Sequence, residues 1–447
     1  FTGKAVTAYG GFALLAKLFE KLDFRAEIEK IVPFRETSPN STGVFAKVLC
    51  FGLTVLAGGR RFSHAMFLGD SLEIYEAEFS VKRVPKSITA VTRFFRRIRS
   101  FQMAERFAER LWAYTYSRVI PFAEIGSDYL TLDSTVVTRY GEQEGAEVGY
   151  NPKKKGRPSH HPIVAFLNRS KYVVNLWNRS GDTASGNGCL EFTKQTWARI
   201  SSKIKILGVL CDSAFYRVDL VEFIERQCVP YVICAILSRA IQKEIAKVEK
   251  WQKVAENIDV SEFTFQHKDK KWEKQRRYIV IRQSAPLSRK IPQGKQLSFF
   301  KEDELISSYR YGCYLTSHNE EPEQVWRTYR LRAGDEGIIK ENKEDFALDG
   351  FSLDKFYSVE AAMLLRALFY NIINLFRSKV LADEEKRQTL QTLRMKYLLI
   401  PAVLGRDGKD IVLRLGIRAR DLRQKILWII NRLDVLFPKC IAVGATM

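Results

Sequence analysis

The chain has 447 residues, 46% hydrophobic and 12% aromatic, with 72 Lys and Arg against 51 Asp and Glu, a formal charge of +21. These figures exclude a disordered chain and allow roughly two to four domains around a large core. The cationic excess runs from end to end and is not gathered in a tail, so it points to a polyanionic partner, nucleic acid before an acidic membrane surface.

No apolar run reaches the roughly 18 residues that a membrane-spanning helix needs. The longest, Ala361 to Phe376, is interrupted by Arg366 and Asn371. Seven cysteines without a CxxC pair fit a reducing cytosol and argue against zinc ribbons and disulfide frameworks. The N-terminus lacks the basic and apolar segments of a signal peptide, and a start at Phe1 suggests that a few residues are missing.

Residues 1–122 are expected to form a helical N-terminal DNA-binding domain. Apolar spacing predicts helices over Gly11 to Leu22 and Val44 to Ala57, the second closed by Gly58 and Gly59. Ser87 is placed to cap a helix from Ile88 to Ile98. That helix turns Thr89, Thr92, Arg93, Arg96 and Arg97 outward, a face suited to a DNA groove or to phosphate alone, or to service as a plain cationic surface. Gln102 to Tyr116 continues as an amphipathic connector.

The pattern changes after Pro121. Tyr129 to Leu132, Pro162 to Leu167 and Tyr172 to Trp177 read as an antiparallel meander. A helix (Leu190 to Ile200), a buried strand (Ile204 to Leu210), a helix (Arg217 to Gln227) and a strand (Tyr231 to Ile236) follow. Three meander strands and then αβαβ give the order of a ribonuclease H-like mixed sheet with flanking helices, here over residues 123–240. Asp133 and Asp212 each close a strand, and right-handed crossovers bring them to one side of the sheet. An aspartate at either place also serves as a turn or N-cap residue. The loop Tyr150 to Pro162 carries Lys153, Lys154, Lys155 and Arg157, a candidate phosphate-binding strip beside the first acid. His160 and His161 are adjacent and cannot form a helical zinc pair; one reads as loop packing and the other stays open.

Residues 241–310 read as a β-rich insertion. It holds a basic segment, Lys268 to Arg277, a polar loop, Ser284 to Glu304, and Trp272 among cations, where it can stack on a base or simply cover a sheet face. The core resumes over 311–380 with a helix from about Glu323 to Lys343. On it Tyr329, Arg332, Glu336, Lys340 and Lys343 fall on one stripe, a single acid among an aromatic ring and three cations. Ser358 to Phe376 is a core helix. Residues 381–447 are expected to bind DNA or dimerise, through a hairpin turned at Arg406 to Lys409 and a basic helix from Ala419 to Leu436.

These residues carry a resemblance. LDST around Asp133, CDSAFY around Asp212 and the helix of Glu336 resemble the three acidic blocks of a DDE transposase from a bacterial insertion sequence. Tyr329, Arg332, Glu336 and Lys343 fit the Y-x2-R-x3-E-x6-K signature of one subgroup, and GYNPKKKGRPSHHP is similar to the segment after its first acid. The likeness covers about residues 123–380.

It implies that Asp133, Asp212 and Glu336 bind two Mg²⁺ ions, with Mn²⁺ able to substitute. Tyr329, Arg332 and Lys343 would hold DNA phosphates, with Lys340 on the same face. The partners it implies are double-stranded DNA, as terminal inverted repeats and target, and a second copy of the chain on paired ends, in a bacterial cytoplasm at the nucleoid and away from membranes. Excision through hairpin ends is part of the same implication. Two other readings are a DNA-binding protein of transposase descent that no longer cuts, and a ribonuclease H-like nuclease.

Overall fold

The computed structural model describes residues 5–69, 72–267, 272–284, 309–408 and 410–436. In chain order, the helices that concern the core are α1 (Phe12–Lys21), α2 (Phe24–Ile31), α3 (Val44–Leu56), α4 (Ile88–Arg96) and α5 (Phe101–Tyr114). The meander follows as β1 (Ser127–Ser134), β2 (Ile163–Leu167) and β3 (Val173–Trp177). Next come α6 (Cys189–Ile200), β4 (Lys205–Cys211), α7 (Val218–Arg226) and β5 (Tyr231–Cys234).

In β1, Leu130, Thr131 and Leu132 are all buried, and in β4 so are Val209, Leu210 and Cys211. Consecutive burial means that both faces of these strands are covered, as central strands of an α/β sheet require. β1 pairs antiparallel with β2 and parallel with β4, β2 pairs antiparallel with β3, and β4 pairs parallel with β5. The resulting order β3-β2-β1-β4-β5 is that of a ribonuclease H-like core.

The β-rich stretch lengthens this sheet. Its strands are β6 (Gln252–Ala255), β7 (Ile258–Phe265), β8 (Arg276–Ser284) and β9 (Tyr309–Thr316), preceded by α8 (Arg239–Ala246). β9 pairs antiparallel with β5, so the nine strands run β6-β7-β8-β9-β5-β4-β1-β2-β3. Periodicity identifies such strands, but their attachment to the core sheet depends on an edge left open by β5. Lys268 to Lys271 and residues 285–304 of the expected polar loop lie outside the described residues.

The single helix expected from about Glu323 to Lys343 is broken. α9 (Pro322–Arg330) passes into a 3-10 turn, Leu331–Gly334, before α10 (Asp335–Glu344) begins. Gly334 caps α10 at the break, where its weak helix propensity tolerates the change of winding. A Cβ at Gly334 or Gly337 would meet nothing within 4 Å, so neither glycine serves a close approach by the protein's own backbone.

α11 (Phe356–Leu375) and its wider-wound continuation to Val380 are long and apolar enough, by length and composition, to cross a membrane. This exceeds the apolar length expected from sequence, because the polar interruptions are few. Of the residues in its most apolar 18-residue window, 94% are buried inside the protein. Asn371 satisfies β3, accepting from Val173 N at 2.9 Å and donating to Val173 O at 2.7 Å. Arg366 donates to Ala347 O at 2.7 Å and to Gly350 O at 3.1 Å.

The N-terminal helices share this core. Phe19 and Phe24 meet Phe369 at 6.2 and 5.7 Å between ring centres. Gly52 of α3 lies so close that an added Cβ would sit 2.0 Å from the Phe369 ring. The C-terminal hairpin, β10 (Ala402–Asp407) and β11 (Asp410–Leu415), pairs on its other side with Val6–Thr7, and α12 (Arg420–Leu436) follows. Lys409 of the expected turn lies outside the described residues.

Candidate active site

Two acids are placed by sheet register. Leu132 of β1 pairs with Cys211 of β4, so the residues that follow them, Asp133 near the end of β1 and Asp212 just past β4, lie at the same end of adjacent parallel strands. Neighbouring strands lie about 4.8 Å apart. Asp212 also caps the turn that follows, accepting from Ala214 N at 2.9 Å through Oδ1. Oδ1 of Asp133 accepts from Ser134 N at 2.7 Å, and its Oδ2 faces Nη2 of Arg332 at 3.1 Å.

The third acid, Glu336, stands exposed in the first turn of α10, where the helix dipole favours a negative charge. The stripe expected on one helix holds only within α10, for Glu336, Lys340 and Lys343. Tyr329 lies in the last turn of α9, its ring 4.4 Å from that of Tyr314, and its hydroxyl lies 3.4 Å from Nη1 of Arg332. Arg332 lies in the 3-10 turn, which directs its guanidinium to Asp133.

Asp133 carries the electrostatic imprint of its neighbours. Burial pushes the Asp133 carboxyl up to about 6; Arg332 pulls it down, and Asp212 and Glu336 push it up again. Asp335, rotated off the expected stripe, is 1% exposed and is pushed up to about 7, again chiefly by burial, with Arg332 and Asn168 opposing. Asn168 Nδ2 donates to Asp335 Oδ1 at 2.6 Å, and Arg332 Nε faces Asp335 Oδ2 at 3.4 Å. Sequence reasoning missed this pair. Asn168 and Asp335 are 167 positions apart, and no spacing rule connects a hairpin asparagine to a helix start.

An all-oxygen donor set suits a hard divalent cation. Among the described residues, no three acidic, His or Cys side chains are drawn together around one point. The position beside Asp133 nevertheless accepts a positive charge, since a guanidinium fills it.

The surrounding cations divide into two groups. Lys343 is half-buried, donates to Val136 O at 2.9 Å, and is held below the usual lysine range by burial first and by Lys153 second. Lys153 stands on an exposed loop with Lys154, Lys155 and Arg157, and its charge is felt at Lys343. Lys154 also bonds the Tyr140 hydroxyl. Lys340 is exposed, 3.9 Å from Glu344.

On α4, Arg93 is exposed, while Arg96 pairs with Asp354 at 2.8 Å. Arg97, just past α4, lies 3.9 Å over the Phe34 ring and donates to Arg35 O. Trp272 stacks on Tyr216 at 5.1 Å within the protein. Both histidines of the basic loop are buried. His160 accepts from Arg139 Nε at 3.0 Å and is held down to about 4 by burial and by that arginine. His161 lies 2.9 Å from Thr183 O through Nδ1.

Comparison with curated proteins gives no match. Among solved structures, a cryo-EM structure of the piggyBac transposase synaptic complex with hairpin DNA aligns at a TM-score of 0.46 and 11% identity, over 100% of this chain and 85% of that one. The model of the transposase DDE domain group 1 family matches residues 1–434. With nearly the whole length matched, the chain belongs to the transposase DDE domain group 1 family.

Proposed function

We propose that the protein cuts DNA strands at the ends of a mobile element and joins them to target DNA, with Asp133, Asp212 and Glu336 as the catalytic acids. The observation that carries this reading is the register of β1 and β4, which sets Asp133 and Asp212 side by side at one sheet end, within electrostatic reach of Glu336. These three carboxylates would hold Mg²⁺, or Mn²⁺ in its place. Two such ions, when bound, supply activation of the attacking oxygen and stabilisation of the leaving one in an in-line displacement at phosphorus.

The chain's own residues supply the rest. Lys343, buttressed on Val136, and Lys153 set positive charge beside the acids, where a phosphodiester would bind. Tyr329, packed on Tyr314, and Arg332 beside it would hold further phosphate oxygens. Lys154, Lys155 and Arg157 extend the cationic strip along the loop, and Lys340 adds an exposed charge on the Glu336 face. Contacts of this kind neutralise phosphates and position the duplex without reading its sequence. Arg93, Arg96 and Arg97 are proposed as a more distant DNA contact, and a second copy of the chain as the partner on paired ends.

The test is Asp212→Ala, assayed for Mg²⁺-dependent nicking of end DNA and, separately, for end binding. Nicking falls to background while binding is largely kept. Undiminished nicking removes Asp212 from the site.

A further inference from the structure

We propose that Arg332 is a latch on the acidic site and that Asp335 is the positioning residue that draws it away when a divalent ion arrives. The inference rests on the metal-binding reading above. Arg332 has two carboxylates to choose between. Toward Asp133 it makes a hydrogen bond, Nη2 to Oδ2, at 3.1 Å. Toward Asp335 it makes an ion pair but no hydrogen bond: Nε and Oδ2 face one another at 3.4 Å, each a buried atom without a hydrogen-bond partner, with the likewise unpaired Thr131 hydroxyl beside Asp335. A buried donor and acceptor left unmade cost stability, and charge-assisted bonds are the strong ones. The arrangement is therefore asymmetric, with one bond formed and a second one waiting.

Asp335 cannot close that gap itself. Its other oxygen is held by Asn168 Nδ2 at 2.6 Å, and the same amide donates to Leu331 O at 3.1 Å. Arg332 can complete the Asp335 bond by turning from Asp133. Its place in the 3-10 turn, between two helices, puts the side chain between both acids. A divalent ion at Asp133 carries the same sign as the guanidinium and repels it toward Asp335. In the free protein Arg332 thus competes with the ion for Asp133, and Asp335 lowers the cost of giving way. A DNA phosphate offers Arg332 a further partner, so DNA and ion favour one another's binding.

The test titrates the full-length chain with Mn²⁺ alone, bound ion being counted by electron paramagnetic resonance. Arg332→Gln binds Mn²⁺ more tightly, roughly five- to a hundredfold, the ordinary range for coupled sites. Lys343→Gln, which removes a charge but frees no carboxylate, tightens binding less. Asp335→Asn weakens binding in the natural background and leaves the Arg332→Gln background unchanged. Arg332→Lys falls between the natural chain and Arg332→Gln, which keeps the series readable if the glutamine variant unfolds. Equal tightening by Arg332→Gln and Lys343→Gln overturns the latch, and so does an equal effect of Asp335→Asn in both backgrounds. Mn²⁺ binding that survives Asp212→Ala unchanged overturns the metal-site reading itself, a result separate from either.

Discussion

Asp133 and Asp212 stand on adjacent strands in fixed register, whereas Glu336 stands on an exposed helical turn that follows a break in winding. The strand acids inherit their placement from a sheet buried on both faces. Moving either one would require register slippage through Leu130, Leu132, Val209 and Cys211, all fully buried. Glu336 depends on the path of α9, the 3-10 turn and α10. One half of the site is rigid by construction, and the other is joined to it through Arg332, Asp335 and Lys343.

The sharpest way to test that difference is to remove one acid from each half. Asp133→Ala and Glu336→Ala both reduce Mg²⁺-dependent cleavage to background. Only Asp133→Ala also shifts the melting temperature, because Asp133 is packed against Arg332 whereas Glu336 is exposed. Equal melting temperatures for the two variants erase the distinction. Next in size is Lys343→Ala, which cuts strand transfer by about a hundredfold, the scale for removing one donor from a site of developing charge. End binding changes less; an equal loss of binding makes Lys343 a general DNA contact.

Smaller effects report on the rigid half. Asn371→Leu strips both hydrogen bonds from Val173 and costs about 3 kcal/mol, at 1–3 kcal/mol for each buried group left unpaired, read by urea denaturation. An unchanged midpoint would mean that β3 finds other partners.

His160 makes stability depend on pH. Its folded pKa, about 4, lies below the unfolded value near 6.5, so its contribution is complete above pH 6.5 and is lost as pH falls toward 4. The loss is on the order of 3 kcal/mol, and His160→Asn flattens that part of the pH profile. A profile unchanged by the substitution assigns the acid sensitivity to other groups.

Sequence alone determined the strands, since β-branched and apolar runs specify the meander and the strand before Asp212, with Asp133 and Asp212 near the ends of two of them. It also determined that Ser358 to Phe376 is a core helix. Arg366 and Asn371 looked like interruptions of that helix; their partners, at Ala347, Gly350 and Val173, come from distant parts of the chain. Helical periodicity correctly placed Glu336, Lys340 and Lys343 on one face. It failed at Tyr329 and Arg332, because a constant 100° per residue does not survive a 3-10 turn.

Tertiary structure alone decided what Arg332 touches, that Asp335 is buried beside it, and that the β-rich stretch prolongs the core sheet instead of standing apart from it. The physical reason is common to all three. Periodicity and spacing encode which face of an element is apolar, but a salt bridge or a sheet edge is chosen by whichever group folding brings within a few ångströms. For Asn168 and Asp335 that group lay 167 positions away.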